Sequence, residues 1–299
     1  MRIIASGHYC EPVQDAVPDL RELVKATTGK SVRRVNRFIQ LALIGAARCV
    51  GSQAIDAQTA VYMASPHGDL EVTQDIVDQI VRHGLPPKPL SFINSVSNAA
   101  SFYIAQNFAL EGRSSFICNR FFAFESALQL AHADIAAGLV DSALIGVVDV
   151  VVEPLRGHRL RAEVAAEATL CEASHWLWLG AAGKKNDTVA SASKSAIVGA
   201  RHFSDQAALR RWLADLSLPP QRLHFCAGQS LAEADAALLK TESGAWHKFD
   251  AMSAPGLYNC RSAAVIADFE KACGSGENYL LYVNADPLGR YSAFIVSTA

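Results

Sequence analysis

Apolar residues recur along the chain in two rhythms, one matching helices and the other short buried strands. From Asn36 to Val50, Phe38, Leu41, Ala42, Ile44 and Ala46 fall at helical spacing, and Gly51-Ser52 ends the run. Thr59 to Ser65 follows as a β-rich strand bounded by Pro66 and Gly68. Glu71 to His83 returns to the helical rhythm, with Val72, Ile76, Ile80 and Val81 toward the core. Gly84 and the Pro-rich segment 86–89 stop it. Ser97 to Phe108 reads as a further helix, Arg2 to Ser6 as an opening strand, and Asp15 to Thr28 as polar, helical or irregular.

The most organised stretch runs from Gly112 to Gly146. It predicts a strand over Ser115 to Cys118, a tight turn, an amphipathic helix and a second apolar strand. A strand entering a helix through a sharp turn is a site where α/β enzymes hold a nucleophile. The helix N-terminus there lowers a thiol's pKa and stabilises an oxyanion. Here the turn holds Phe121, Phe122, Ala123 and Phe124, none of which is a nucleophile.

Glu153 to Glu167 reads as a charged loop that includes a helical segment, Leu170 to Gly180 as a bulky strand, and Gly183 to Asp187 as a turn. Ser195 to Ala200 opens a second half. Ala207 to Leu216 is helical, Pro219-Pro220 separates it from a strand at Leu223 to Ala227, and Leu231 to Thr241 is helical again. Ser243 to Cys260 reads mostly as loop, Ser262 to Cys273 as helix, and Tyr279 to Asn284 and Ser292 to Ser297 as strands. Helix, linker and apolar strand occur at 36–65 and again at 207–227, and an Ala-rich helix precedes a strand in each half. This echo points to an internal duplication packed as α/β layers.

Composition narrows the function. With 299 residues, 51% hydrophobic and a formal net charge of -2, the chain can bury a large core and lacks the basic excess of a nucleic-acid binder. Basic clusters at Arg33-Arg34-Arg37 and 156–161 are solvated faces that an acidic partner can use. The seven scattered cysteines contain no CxxC pair, which argues against a disulfide framework or a zinc site. No cofactor motif is evident. No run approaches a membrane span, and the apolar run at the N-terminus is too short for a signal peptide, so a cytoplasmic protein is expected.

Several segments, taken together, resemble β-ketoacyl synthases. RRVNRFIQLALIGAARCVG is similar to the helix after their first loop, and PKPLSFINSVSNAASFYIAQNFALEGRSS to the approach to their nucleophile. ALQLAHADIAAGLVDSALIGVVD is similar to the helix and strand beyond it. ASKSAIVGARHFSD, the PQRLHFCAG run and GRYSAFIVST follow in family order, with connections shorter than those of a typical ketosynthase. The resemblance implies a thiolase-like α/β fold with two pseudo-symmetric halves, 1–180 and 181–299, in α-β-α-β-α layers and forming a dimer. It also implies a cysteine nucleophile that takes an acyl chain from a thioester, and two histidines that assist malonyl decarboxylation. Carried over residue by residue, the nucleophile falls on Phe121, the first histidine on Gln229 and the second on Asn259. A one-residue slip places Cys260 at the last position. No histidine and no nucleophile stands at the three aligned positions.

These absences imply a catalytically inactive subunit resembling the chain-length factor of type II polyketide and aryl polyene systems. Such a subunit pairs with an active ketosynthase, shapes its elongation tunnel, and offers Arg33, Arg34 and 156–161 as contacts for an acyl carrier protein. The resemblance assigns the strand with Ser115, Phe116, Ile117 and Cys118 to the dimer interface, and Phe102, Ala105 and Phe108, expected near one helix face, to tunnel and interface. Phe116, Phe121, Phe122 and Phe124 read first as core aromatics at a strand-helix junction, and the sharper, compatible reading has these rings fill the space of the acyl thioester. Two alternatives stand beside this reading: an active enzyme using a displaced thiol, Cys118 or Cys260, and a non-enzymatic scaffold. Cys118 otherwise alternates into the core as a small hydrophobe. His132, His224 and the Ser174-His175 and Asp134 positions form no triad at family-like spacing.

Overall fold

The computed structural model describes residues 1–298 apart from 33–34, 97, 183–194, 217, 244–245, 252–255, 257–258 and 274–275. Arg33, Arg34 and the turn expected at 183–187 therefore lie outside the described residues. The elements of the first half are β1 (Arg2–Val13), α1 (Arg21–Thr28), α2 (Arg37–Val50), β2 (Ala60–Ser65), α3 (Leu70–His83), α4 (Pro89–Asn94), α5 (Ala99–Phe108), β3 (Ser114–Cys118), α6 (Ala123–Ala136), β4 (Ser142–Asp149), α7 (Leu155–Arg161) and β5 (Leu170–Gly180). Those of the second half are β6 (Ala196–Phe203), α8 (Gln206–Ala214), β7 (Leu223–Ala227), α9 (Glu233–Ser243), β8 (His247–Lys248), α10 (Arg261–Ala272), β9 (Asn278–Ala285) and β10 (Tyr291–Thr298).

The strand order is β3-β2-β4-β5-β1-β6-β10-β9-β7-β8. Each half contributes five strands in the same arrangement. β2 pairs in parallel with β3 and β4, as β7 does with β8 and β9. β5 lies antiparallel between β4 and β1, as β10 does between β9 and β6. Among the described residues the two five-strand sets meet in the sheet at one ladder pair, Arg2 with Ala196.

Strand alternation explains the layering. Tyr62 and Ala64 of β2, Ile145 and Val147 of β4, Leu280 and Tyr282 of β9, and Phe294 of β10 all enter one cluster with α6 and α10. Their neighbours face outward. Val61, Met63 and Leu144 meet α2 and α5, whereas Leu281, Val283 and Ile295 meet α8 and α9. The result is five α-β-α-β-α layers with α6 and α10 at the centre. α2 starts where Asn36 Oδ1 accepts the Ile39 N–H at 3.1 Å, and its Gly45 faces Gly146 of β4 across the Trp176 ring. A Cβ at either glycine would lie within 2.6 Å of that ring, so both positions require glycine for close packing.

Three sequence expectations need correction. The opening strand continues to Val13, because the polar stretch after Ser6 is paired along its length with β5. Pro89, expected to help break a helix, begins α4 at its first turn, where the missing N–H costs nothing. In α3, Val72 is buried, but Ile80 is 50% and Val81 75% exposed. Among the described residues, nothing covers these two side chains.

Candidate functional site

The turn between β3 and α6 is held from two sides. Asn119 Oδ1 accepts the backbone N–H groups of Phe121 and Phe122, each at 3.2 Å. Asn284, on β9 of the other half, donates its Nδ2–H to the Phe121 carbonyl at 3.1 Å. Asn284 Oδ1 in turn accepts the N–H groups of Ser230 and Ala285. Gly228 makes room for this side chain, since a Cβ there would sit 2.4 Å from Asn284 Cγ. The N–H groups that an enzyme would aim at an oxyanion are thus already donated to a side chain.

Phe121, Gln229 and Asn259 line one small polar pocket of about 180 Å³, together with Glu125, Ser262, Tyr282 and Asn284. Arg120 and Glu163 stand at its wall, joined at 3.3 Å, with the Arg120 guanidinium 5.5 Å from the Phe121 ring centre. Asn259 is fixed through its backbone, whose N–H donates to Asp149 Oδ2 at 2.6 Å. Burial pushes the Asp149 carboxyl up to about 6 against the pull of that bond. A larger chamber of about 620 Å³, walled by Phe225, Trp246 and Phe249, shares Gln229, Arg261, Ser262 and Tyr282 with the polar pocket.

Glu125 is the strongest chemical feature of the site and was not picked out from the sequence. It is 3% exposed, and its Oε1 has no hydrogen-bond partner among the described residues. Burial raises its carboxyl to about 7, while hydrogen bonds from Ser262, Tyr282 and Asn284 pull the other way. A charged residue on the apolar face of α6 was the available signal. Asn284, inside the otherwise apolar NYLLYVNA strand, was another.

The four phenylalanines do not form one plug. Phe116 meets Phe38 edge-on at 6.2 Å, Phe122 lies against His202 at 5.5 Å, and Phe124 packs on Phe294 at 6.1 Å. Of the four, only Phe121 lines the pocket. Alternation along β3 and the helical repeat of α6 send the others to different layers. The grouping of Phe102, Ala105 and Phe108 also fails. Phe102 is 61% exposed, whereas Ala105 and Phe108 are partly buried against the core outside β2; the six residues between Phe102 and Phe108 turn the helix by about 240°, which takes Phe108 away from Phe102.

Cys118 does not enter the core. It is exposed at the end of β3, opposite Ser65, the last residue of β2, and its Sγ lies 3.7 Å from the Pro66 carbonyl. Burial raises its pKa and raises that of the fully enclosed Cys260 much further, so neither environment favours a thiolate. Ser115, Phe116 and Ile117 are half-buried on the outermost strand of the sheet. Asp134 is bound to Tyr62 and Arg113, and Ser174 to Trp176. His224 faces His247 and Phe269 near the opposite edge, and burial lowers the pKa of His132 on α6. These groups are not assembled together. In α7, His158 is buried and pushed down to about 4, while Arg156 and Arg161 are exposed.

No family model and no curated protein sequence matches this chain. Solved structures match its whole architecture. The ishigamide ketosynthase/chain length factor superposes with a TM-score of 0.69 at 16% identity, covering 92% of this chain and 84% of that one. A type II PKS acyl-carrier protein complex with its ketosynthase, AntDE:AntF, gives 0.76 at 10% identity over 100% and 99%. The noncanonical ketosynthase FabY from P. aeruginosa gives 0.74 at 12% identity over 92% and 58%. The chain therefore has the thiolase-like fold of the ketosynthases, as the motif order implied.

Proposed function

We propose that this protein is a non-catalytic ketosynthase-like subunit that pairs with an active ketosynthase and shapes the tunnel in which the partner extends an acyl chain. The observation that carries this reading is the content of one pocket. Phe121, Gln229 and Asn259, the positions onto which the thiol and two imidazoles of the ketosynthases carry over, line it together. Asn119 also occupies the turn's N–H groups. The raised thiol pKa values at Cys118 and Cys260 speak against a displaced nucleophile.

The surface supports a partner of the same fold. β3 is an outermost strand, with its far edge unpaired among the described residues. An unpaired edge is a template for another strand. Val77, Ile80, Val81, Phe92, Ile93 and Phe102, all at least 50% exposed, spread apolar surface over α3, α4 and α5, and α5 packs against β3. A ketosynthase presenting its own equivalent edge continues the sheet and covers this surface about a local twofold axis. The exposed Arg156 and Arg161 of α7 suit an acidic carrier protein, in keeping with a type II polyketide or aryl polyene system.

Co-expression with a candidate ketosynthase, followed by size-exclusion chromatography and product analysis, tests the proposal. A stable heterodimer whose product length depends on this chain is expected. Condensing activity by this chain alone, or a species with no affinity for any ketosynthase, would overturn it and favour a displaced thiol or a separate scaffold role.

A further inference from the structure

On the pleated face shared by β1 and β5, Cys10 lies opposite Ala173, and Pro12 lies opposite Cys171. The two cysteines are thus diagonal neighbours on the same face, because side chains two apart on a strand point the same way. Their sulfur atoms are 3.1 Å apart, inside ordinary van der Waals contact. A disulfide needs about 2.05 Å, so closing it requires about 1 Å of approach. Pro12 has no N–H to give to the ladder opposite Cys171, which leaves the strand freer to adjust there. Cys10 is half-buried and reachable from solvent, whereas Cys171 is 1% exposed. That asymmetry suits a first oxidation at one sulfur and its resolution by the other.

We propose that Cys10 and Cys171 are a peroxide-oxidisable pair that closes a disulfide within the folded chain. A peroxide converts the Cys10 thiol to a sulfenic acid and is itself reduced, releasing one water when it is hydrogen peroxide. The Cys171 sulfur then attacks the Cys10 sulfur, the S–O bond breaks, and a second water leaves with the Cys171 proton. Two thiols lose two electrons and two protons in all, and hydrogen peroxide is reduced to two waters. The bond staples the first strand to the fifth, closing a loop of 161 residues. It lies one row from the vacated site. Ala173, opposite Cys10, pairs on its other side with Asp149, whose carboxylate holds the Asn259 N–H.

The test uses the full chain, reduced, desalted, treated with hydrogen peroxide, alkylated and peptide-mapped without reductant. A linked peptide containing Cys10 and Cys171, lighter by two hydrogens, is expected as the main product, together with a rise of several degrees in Tm that dithiothreitol reverses. Cys10→Ser and Cys171→Ser should each abolish the link and the Tm shift. If Cys171→Ser fails to fold, alkylation of wild-type Cys10, lost on oxidation and restored by dithiothreitol, gives the same answer. Two results would overturn the proposal: both thiols still alkylated after the exposed Cys118 has been oxidised, or a main product joining Cys10 to Cys260.

Discussion

Asn284 donates a hydrogen bond to the Phe121 carbonyl at 3.1 Å, linking residues 163 positions apart in the two halves of the fold. With Asn119 taking the N–H groups on the other side, both polar faces of the turn are satisfied by side chains. A turn built for catalysis leaves donors open for a charge that appears only during reaction. Here both N–H groups at the start of the turn are donated to Asn119 within the chain.

Asn284→Asp separates the roles of this side chain. The carboxylate still accepts from Ser230 and Ala285, but it cannot donate to Phe121 and it sits near the buried Glu125. A loss on the order of 3 kcal/mol is expected, from an unpaired carbonyl plus a second buried acid. Gly228→Ala should cost a similar amount by pushing Asn284 out of place. Urea denaturation measures both, and a change below about 0.5 kcal/mol in either would show the tether to be incidental.

Phe121→Cys puts a thiol at the turn without the imidazoles a condensing site uses. Gln229 and Asn259 supply no imidazole, and the N–H of residue 121 remains donated to Asn119. No condensing turnover is expected from the single variant with acyl- and malonyl-carrier substrates. Measurable turnover would mean that the site retains more chemistry than its residues account for.

The sequence made the layers legible because alternation and helical spacing follow directly from burial. The residues of β2, β5 and β7 were bounded to within one position for that reason. Phe121 could be placed because Gly112 to Asp141 carries over without gaps, and Gln229 and Asn259 were placed from the CAGQS and LYNCRSAA runs around them. Glu125, Asn119 and Asn284 could not be assigned their roles, because their partners lie on other strands and turns and only the tertiary fold brings them together. Ile80 and Val81 misled for the opposite reason: an apolar stripe records that a face needs covering and is silent on whether the same chain covers it.

Glu125 predicts how stability varies with pH. The folded chain holds this proton up to about 7, whereas an ordinary glutamate releases it near 4.5. Between those values the folded state binds more protons, so stability is greatest at the acid end and falls as pH rises through the window. The loss from this group is on the order of 3 kcal/mol by pH 8. Asp69 and Asp149, raised by burial to about 7 and about 6, add to the same trend. Glu125→Gln should be more stable than wild type at pH 8 and show a shallower slope between pH 5 and 8. Equal slopes for the two proteins would remove Glu125 as a source.

Charge placed on the apolar helix face should separate folding from assembly. Val81 and Phe102 are 75% and 61% exposed, so Val81→Glu and Phe102→Glu remove little packing within the chain. Their effect on the isolated protein should stay within about 0.5 kcal/mol, as for other surface substitutions. In a heterodimer the same carboxylates are buried without a partner, which costs several kcal/mol and weakens association by a hundredfold or more. Phe108→Glu is the contrast, since that ring packs against the core outside β2 and its replacement should destabilise the subunit itself. Sizing with a ketosynthase partner and thermal melts of each subunit separate the two outcomes. Retained assembly by Val81→Glu and Phe102→Glu would place the partner elsewhere on the surface.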